Sequence, residues 1–281
     1  MKIARFSING QRRLGYLEND MLIDCGADAL DSLVRSGFDL TEIGSRATPG
    51  LKYPVGDVRF EQPIEHPSKI ICVGLNYADH TAESGFKQPD YPSLFVRFTS
   101  SLIAHEEALL RPLISTQFDY EGELVVILKS GGRRIKRADA LKHVAGYTIF
   151  NDGSVRDFQH RTTQWTVGKN FDATGAVGPY CVTPDELPAG ASGLALTTRL
   201  NGQVVQAGNT RDLIFDVCSL IEIASESMTL EPLDLIVTGT PAGVGHSRRP
   251  PLYMKGGDIC EVEIEGLGTL KNPVRDESVM P

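Results

Sequence analysis

The chain has 281 residues, of which 41% are hydrophobic and 23% charged, and its formal net charge is −8. This length and composition indicate a globular protein with one large domain, or with a small and a large one. The densest basic segment, 131–137, is short and follows a turn signal, so it argues against a nucleic-acid partner. No apolar run approaches the roughly 20 residues of a membrane helix. The N-terminus is too polar for a signal peptide, and the five cysteines are scattered without a C-x-x-C pair, so we expect a cytoplasmic protein.

The first elements form a small module. Residues 2–6 and 13–16 predict two strands around Asn9-Gly10, which is a strong hairpin signal. A helical pattern covers 28–36, where leucine and valine recur at helical spacing and Asp28 is the expected N-cap. This alternation of short strands and one helix predicts a compact N-terminal unit.

A proline-bearing stretch at 60–67 predicts a linker, and we therefore place a small N-terminal domain at 1–64 and a larger domain at 65–281. In the larger region apolar runs predict strands, and one segment carries a helical period. The predicted strands are 69–75, 124–128, 145–150, 194–200, 203–206, 235–238 and 260–264, and the predicted helix is 211–229. Asn201-Gly202 joins 194–200 to 203–206 in a second predicted hairpin. Strands outnumber helices and do not alternate regularly with them, which predicts a β-rich α+β fold.

An acidic pair lies at the start of one of these strands. Glu121 and Glu123 are two positions apart, so they share one face of a strand. Asp152 follows another apolar strand, and three hard oxygen ligands favour Mg²⁺, Mn²⁺ or Ca²⁺ over zinc. From spacing alone, a solvated strand end is the simpler explanation of Glu121 and Glu123, and a metal site is the alternative.

Further polar residues lie close to these strands. His80 and Glu83 are i and i+3, so in a helical turn the carboxylate orients the imidazole as a general base requires. Arg156 can hold a substrate carboxylate, and Lys169 can stabilise a developing enolate oxygen. The alternatives are a surface ion pair for the first two residues and surface charge for the others. The glycine-rich segment 239–245 lacks the Lys-Ser/Thr ending of a phosphate loop, which argues against nucleotide binding. The sequence also has no Gly-x-Ser-x-Gly nucleophile elbow, which argues against a serine hydrolase.

Taken together, these motifs resemble the fumarylacetoacetate hydrolase family, and the resemblance covers about 67–274. Six segments occur in the family's order. They are Gly74-Leu75-Asn76-Tyr77 with His80 and Glu83, Glu121-Gly122-Glu123, 151–159, 168–172, 239–244, and 256–258 through 268–272.

The resemblance implies a β-roll of mixed sheets with a small N-terminal region, and usually a homodimer. It implies a divalent cation, Mg²⁺ or Mn²⁺ with Ca²⁺ as a further candidate, held by Glu121, Glu123 and Asp152. It also implies roles for two further sets of residues. The catalytic positions match His80, Glu83 and Lys169, and the substrate-binding positions match Tyr77, Arg156, Gln159 and Thr240.

Two positions depart from the family pattern. Gly153 stands where a bulkier residue is more frequent, and Arg97 stands where a lysine is frequent. We expect both residues to alter the shape of the pocket, and with it the identity of the substrate.

The activity implied is hydrolysis of a carbon–carbon bond in an acylpyruvate-type 1,3-dioxo acid, such as fumarylpyruvate, through a metal-bound enolate. His80, oriented by Glu83, would activate the water, and Lys169 would stabilise the enolate. Decarboxylation of an oxaloacetate-like β-keto acid is the first alternative, and isomerisation or hydration of a related dienoate in aromatic catabolism is another. A metal-dependent binding protein without activity is a third hypothesis, which the intact His80, Glu83 and Lys169 argue against.

Overall fold

Short apolar segments separated by turn residues fold mainly into strands, and the predicted β-rich α+β class is confirmed. The computed structural model describes residues 1–83, 87–88 and 90–278. In this part of the chain the strands are β1 (Lys2–Ile8), β2 (Gln11–Glu18), β3 (Met21–Ala27), β4 (Lys52–Pro54), β5 (Arg59–Phe60), β6 (Ile70–Gly74), β7 (Ser93–Val96), β8 (Leu102–Ile103), β9 (Leu109–Arg111), β10 (Phe118–Asp119), β11 (Gly122–Leu128), β12 (Val144–Asp152), β13 (Ser154–Val155), β14 (Gly175–Val182), β15 (Ala195–Leu200), β16 (Gln203–Asn209), β17 (Leu235–Val237), β18 (Ile259–Ile264) and β19 (Gly268–Asp276). The α-helices are α1 (Leu30–Arg35), α2 (Ala78–Glu83), α3 (Arg156–Gln159), α4 (Thr166–Lys169) and α5 (Val217–Ser227).

Two mixed sheets make up the framework. The larger follows the order β4-β3-β2-β1-β14-β12-β11-β17-β6-β7, with β5 beside β1 and β8 beside β14. Its pairs are antiparallel except β14 with β8 and β17 with β6. The second sheet has the order β16-β15-β18-β19-β9, and β10 pairs separately with β13. Mixed sheets were predicted, and they are confirmed.

Strand β11 separates the two faces of the core. Leu124 and Val126 belong to the apolar cluster that also contains residues of the five-stranded sheet and α5. Val125 and Ile127 lie on the other face, in a cluster with N-terminal residues such as Ile3. Successive side chains of a strand point to opposite faces, so a strand buried on both faces reads as a continuous apolar run.

A matched pair of valines tests this packing. Val126 is 1% exposed, whereas Val204 on β16 is 57% exposed. We expect Val126→Ala to lower the free energy of unfolding by about 2 kcal/mol, because it removes buried methyl groups and leaves a cavity. Val204→Ala should change it by less than about 0.5 kcal/mol. Urea unfolding of both variants measures the difference, and equal effects would contradict the placement of β11 in the core.

Both predicted hairpins are present. At Asn9-Gly10 the φ angles are +50° and +76°, and at Asn201-Gly202 they are +52° and +78°. Two-residue hairpin turns of type I′ need positive φ at both positions, which asparagine and glycine tolerate best. The turns set the registers Ile8 with Gln11 and Leu200 with Gln203.

The N-terminal strands continue the larger sheet. β1 pairs antiparallel with β14, with Lys2 opposite Val182, and apolar residues from both regions share one cluster. Residues 61–69 lie in no helix or strand, whereas Phe60, the first residue of the linker predicted at 60–67, belongs to β5. The division of the chain at residue 64 stays a prediction about independent folding.

Two predicted helix starts are wrong. α1 begins at Leu30 after the N-cap residue Ala29, whereas Asp28 instead pairs with Arg5 at 2.6 Å. α5 begins at Val217 rather than at residue 211, because Asp216 caps it by accepting from the Ser219 N–H at 2.9 Å. For α1 a contact between distant segments engages the expected cap, and for α5 a local cap shortens the helix that the apolar period suggested.

Two expectations from composition concern cysteines and membranes. All five cysteines are free, and four are buried, as expected for small apolar residues. Across the described residues, no helix combines the length and the apolar character that crossing a membrane requires.

Candidate active site

The three predicted acids meet where β11 begins and β12 ends. The register of these strands places Gly122 opposite Asn151, and the Asp152 N–H donates to the Glu121 carbonyl at 2.8 Å. One carboxylate oxygen from each of Glu121, Glu123 and Asp152 lies within 4.8 Å of the others, and all three residues are buried. The structure therefore brings together a set of acids that the sequence places thirty residues apart.

Buried cations neutralise two of these acids. The Lys169 Nζ atom lies 2.6 Å from Glu121 Oε2 and 2.7 Å from Asp152 Oδ2. Arg156 Nη2 lies 2.6 Å from Glu121 Oε1, and Arg97 pairs with Asp152. Burial lowers the pKa of Lys169, but Asp152 and Glu121 outweigh it and the net shift is upward, so the ammonium keeps its charge.

Glu123 has a different environment. It is 2% exposed, and within the described residues no cationic side chain pairs with it; its carboxylate accepts from the Gly239 N–H at 2.5 Å. Burial raises the pKa of Glu123 well above its ordinary value, and the charges of Asp152 and Glu121 add to this. A buried carboxylate beside two others fits a bound divalent cation, since three oxygen donors of this kind suit Mg²⁺ or Mn²⁺.

The predicted His/Glu pair forms on α2. His80 Nδ1 lies 3.0 Å from Glu83 Oε1, and the Gly243 N–H lies 3.0 Å from both oxygens of the same carboxylate. A carboxylate only accepts, so the hydrogen between the two side chains belongs to Nδ1 and Nε2 carries the free lone pair. The pair is therefore held in the orientation that a general base needs.

Glu121, Glu123 and the His/Glu pair line one cavity of about 280 Å³. Eight of the ten predicted site residues line it, namely His80, Glu83, Glu121, Glu123, Arg156, Gln159, Lys169 and Thr240. The lining does not include Asp152, which lies behind Lys169, nor Tyr77, which is 1% exposed. The Thr240 hydroxyl donates to the Gly122 carbonyl and accepts from Gln206, so it fixes the strand ends around the acids.

Arg156 is held by an acid that the sequence analysis did not single out. Its Nε donates to Asp119 Oδ2 at 2.9 Å, and its Nη1 donates to Gln159 Oε1 at 2.9 Å. Asp119 also accepts from the N–H groups of Gly245 and His246. The sequence did contain one sign that Asp119 belongs to the site, because Asp119, Glu121 and Glu123 occupy every second position.

The two departures from the family pattern touch each other. Arg97 Nη1 donates to the Gly153 carbonyl at 3.2 Å, in addition to its ion pair with Asp152. A Cβ on Gly153 would lie 2.0 Å from the Thr174 carbonyl oxygen, so only glycine fits here. Neither residue is among those lining the cavity, so the expectation that they shape the pocket is not supported by this geometry. Arg97 instead holds the Asp152 carboxylate in place.

Several lining residues were also missed. Trp165 lies against Gly74, where a Cβ would come 2.1 Å from the indole ring, and it packs edge-to-face on Phe95. The glycine that interrupts the apolar run at 70–74 was the only local sign of this approach. His160, His246 and Arg249 line the same cavity from loops distant in sequence.

A β-rich fold with three buried carboxylates and an oriented His/Glu pair defines a candidate metal-dependent enzyme. The profile of the family described as "Fumarylacetoacetate (FAA) hydrolase C-terminal" matches residues 69–275. The chain therefore belongs to the fumarylacetoacetate hydrolase family, and the resemblance seen in the sequence is confirmed.

Individual relatives differ in the activities that their names state. The chain is 42% identical to the human mitochondrial oxaloacetate tautomerase FAHD2A over 223 residues, which is 79% of this chain and 71% of that protein. It is also similar to the solved fumarylacetoacetate hydrolase of Exiguobacterium antarcticum, with a TM-score of 0.87, 36% identity, and coverage of 99% of this chain and 100% of the other. A maleylpyruvate hydrolase from Sphingobium, solved with manganese(II) and pyruvate, has a TM-score of 0.83, 30% identity and the same coverage.

Proposed function

We propose that this chain is a divalent-metal-dependent enzyme that transfers a proton at the enolisable carbon of a small 2-oxo acid. The observation that carries the proposal is the His80–Glu83 hydrogen bond in the wall of the cavity that Glu121 and Glu123 also line. A base oriented beside a cation site is the combination that enolate chemistry requires.

The acids Glu121, Glu123 and Asp152 would hold Mg²⁺ or Mn²⁺, with Ca²⁺ as a further possibility. When bound, such a cation supplies positive charge and Lewis acidity beside the substrate oxygens. His80 Nε2 then takes the proton from the carbon between the two carbonyl groups. Glu83 stabilises the imidazolium, and Gly243 keeps that carboxylate in place.

The other predicted residues would bind and orient the substrate. The Lys169 ammonium has three N–H donors, of which two face Glu121 and Asp152, so the third is free for an oxygen on which negative charge develops. Gln159 accepts from Arg156 through Oε1, which leaves its amide N–H groups as donors to a substrate carboxylate.

Tautomerisation of oxaloacetate is the reaction that we place first, because the human relative with 42% identity carries that name. His80 Nε2 would take a proton from C3 of the keto form and return it to the oxygen on C2. The product is the enol, and the net proton balance is zero. The same steps run in reverse for the enol form.

Hydrolysis of an acylpyruvate is the second candidate, and the free Nε2 of the oriented His80 supports it. This atom would take a proton from water, which attacks the distal carbonyl carbon. The carbon–carbon bond then breaks to give a carboxylic acid and the enolate of pyruvate, which the proton on His80 converts to pyruvate. Decarboxylation of oxaloacetate remains an alternative outcome, since it forms the same enolate without attacking water.

One substrate panel separates these reactions. The protein is stripped of metal, reloaded with Mg²⁺ or Mn²⁺, and mixed with fresh enol-form oxaloacetate or with acylpyruvates that include fumarylpyruvate. Loss of enol absorbance without pyruvate indicates tautomerisation, pyruvate with CO₂ indicates decarboxylation, and pyruvate with a second acid indicates hydrolysis. If neither metal supports turnover of any substrate in the panel, the proposal is contradicted.

Two predictions from the sequence also remain proposals. We expect a homodimer, which sedimentation of the purified protein tests. We also expect a cytoplasmic location, although the name of the human relative places that protein in mitochondria.

A further inference from the structure

Three polar residues of the cavity have no role in the proposed chemistry. His160 follows α3, His246 lies in the short 3₁₀ turn 245–247, and Arg249 follows that turn. All three line the cavity that contains Glu121 and His80. We call them the histidine–arginine cluster.

His246 is half-buried and is held by polar contacts, whereas His160 and Arg249 are exposed. The imidazole rings of His160 and His246 stack with centroids 5.3 Å apart and planes inclined by 30°. His246 Nδ1 lies 2.8 Å from the Tyr253 hydroxyl, and its backbone N–H donates to Asp119 Oδ2 at 2.9 Å. Asp119 is fully buried and also holds Arg156, so one carboxylate positions both the His246 backbone and a proposed substrate-binding residue.

The cluster carries positive charge without a matching carboxylate. Arg249 Nη1 donates to the carbonyl oxygens of Arg248 at 2.9 Å and of His246 at 3.4 Å, and within the described residues no carboxylate forms an ion pair with it. Burial lowers the pKa of both imidazoles, and the nearby charge of Arg156 lowers it further. A neutral imidazole offers one N–H donor, and that of His246 is shared with the Tyr253 hydroxyl when it lies on Nδ1, so the cluster supplies the Arg249 guanidinium together with the ring donor of His160.

We infer that the histidine–arginine cluster binds a second carboxylate of the substrate, at the end away from the 2-oxo acid group. The inference rests on the proposed function, because it assumes that the acids and His80 face the 2-oxo acid end. A guanidinium beside N–H donors matches a carboxylate in both charge and geometry. The cavity volume of about 280 Å³ suits a short dicarboxylic 2-oxo acid rather than a bulky one.

The test compares ligands that differ only at the far end. Oxaloacetate, 2-oxoglutarate and 2-oxoadipate carry the second carboxylate, and 2-oxobutanoate, 2-oxopentanoate and 2-oxohexanoate are the monoacids of equal carbon number. Calorimetric titration of the Mg²⁺-loaded protein should show at least one diacid binding about 10-fold tighter than its matched monoacid, since a hydrogen bond to a charged group contributes in that range.

Variants then show which residues cause the tighter binding of diacids. Arg249→Gln should remove most of the diacid preference and leave monoacid binding unchanged, and His246→Asn should reduce the preference by a smaller factor. Arg275→Gln on β19 is the matched control, because this arginine is exposed and does not line the cavity, so the preference should persist.

The outcomes distinguish the inference from the proposed function. Diacid preference that depends on Arg249, without turnover in the substrate panel, supports the inference and contradicts the proposed function. Turnover with equal binding of diacids and monoacids, or a preference that survives Arg249→Gln, overturns the inference and leaves the proposed function intact. Absence of binding by every diacid also overturns the inference.

Discussion

Replacing Glu123 with glutamine is expected to weaken metal binding and turnover strongly while leaving the metal-free fold at least as stable. The change removes one of three oxygen ligands and one negative charge, so the affinity for Mn²⁺ should fall about 100-fold or more. Without metal, Glu123 is a buried carboxylate without a cationic partner in the described residues, and glutamine removes that desolvation cost. Calorimetric titration with Mn²⁺ and thermal unfolding in a chelator measure the two effects.

Glu226→Gln is the matched control, since Glu226 is exposed on α5 and should leave both quantities unchanged. Unaltered Mn²⁺ affinity in Glu123→Gln would refute the assignment of these acids as ligands. A large loss of thermal stability in the metal-free variant would instead show that Glu123 is stabilised by contacts other than a cation.

Replacing His80 with alanine is expected to lower kcat by about 10²–10⁴, the range for removing a positioned general base. The affinity for Mn²⁺ should stay within about twofold of that of the unmodified protein, because Glu121, Glu123 and Asp152, and not His80, form the candidate metal site. Tautomerisation and hydrolysis should both collapse, since each needs a proton acceptor. Decarboxylation should survive in part, because loss of CO₂ forms the enolate without a base.

Glu83→Gln tests the same pair through its orienting residue. The kcat of the Glu83→Gln variant should fall less than that of His80→Ala, because the imidazole remains but loses the carboxylate that keeps its hydrogen on Nδ1. His66→Ala, at an exposed position, is the control and should retain full activity. Full activity in His80→Ala would rule out His80 as the base.

Local patterns explain why some predictions succeeded. The i and i+2 spacing of Glu121 and Glu123 placed both carboxylates on one side of β11, since strand geometry alternates side chains regardless of context. The i and i+3 spacing of His80 and Glu83 likewise brought both side chains together on α2. The asparagine–glycine turns determined two hairpins, because few other residue pairs tolerate positive φ twice.

Interactions between distant segments explain what the sequence analysis missed. Arg97 meets Asp152 from 55 positions away, and Asp119 meets the Gly245 N–H from 126 positions away. No local period encodes such contacts, because packing of whole strands and loops decides which side chains meet.

The sequence by itself therefore determined the family, the fold class, the acid trio and the His80–Glu83 pair, because those features depend on spacing within single strands and helices or on motif order. The tertiary structure alone decided that Lys169 bridges two of the acids, that Glu123 has no cationic partner within the described residues, and that His160, His246 and Arg249 reach the same cavity. These three features follow from the burial and charge of side chains that come from separate loops and strands. Burial is a property of the folded molecule rather than of any single segment.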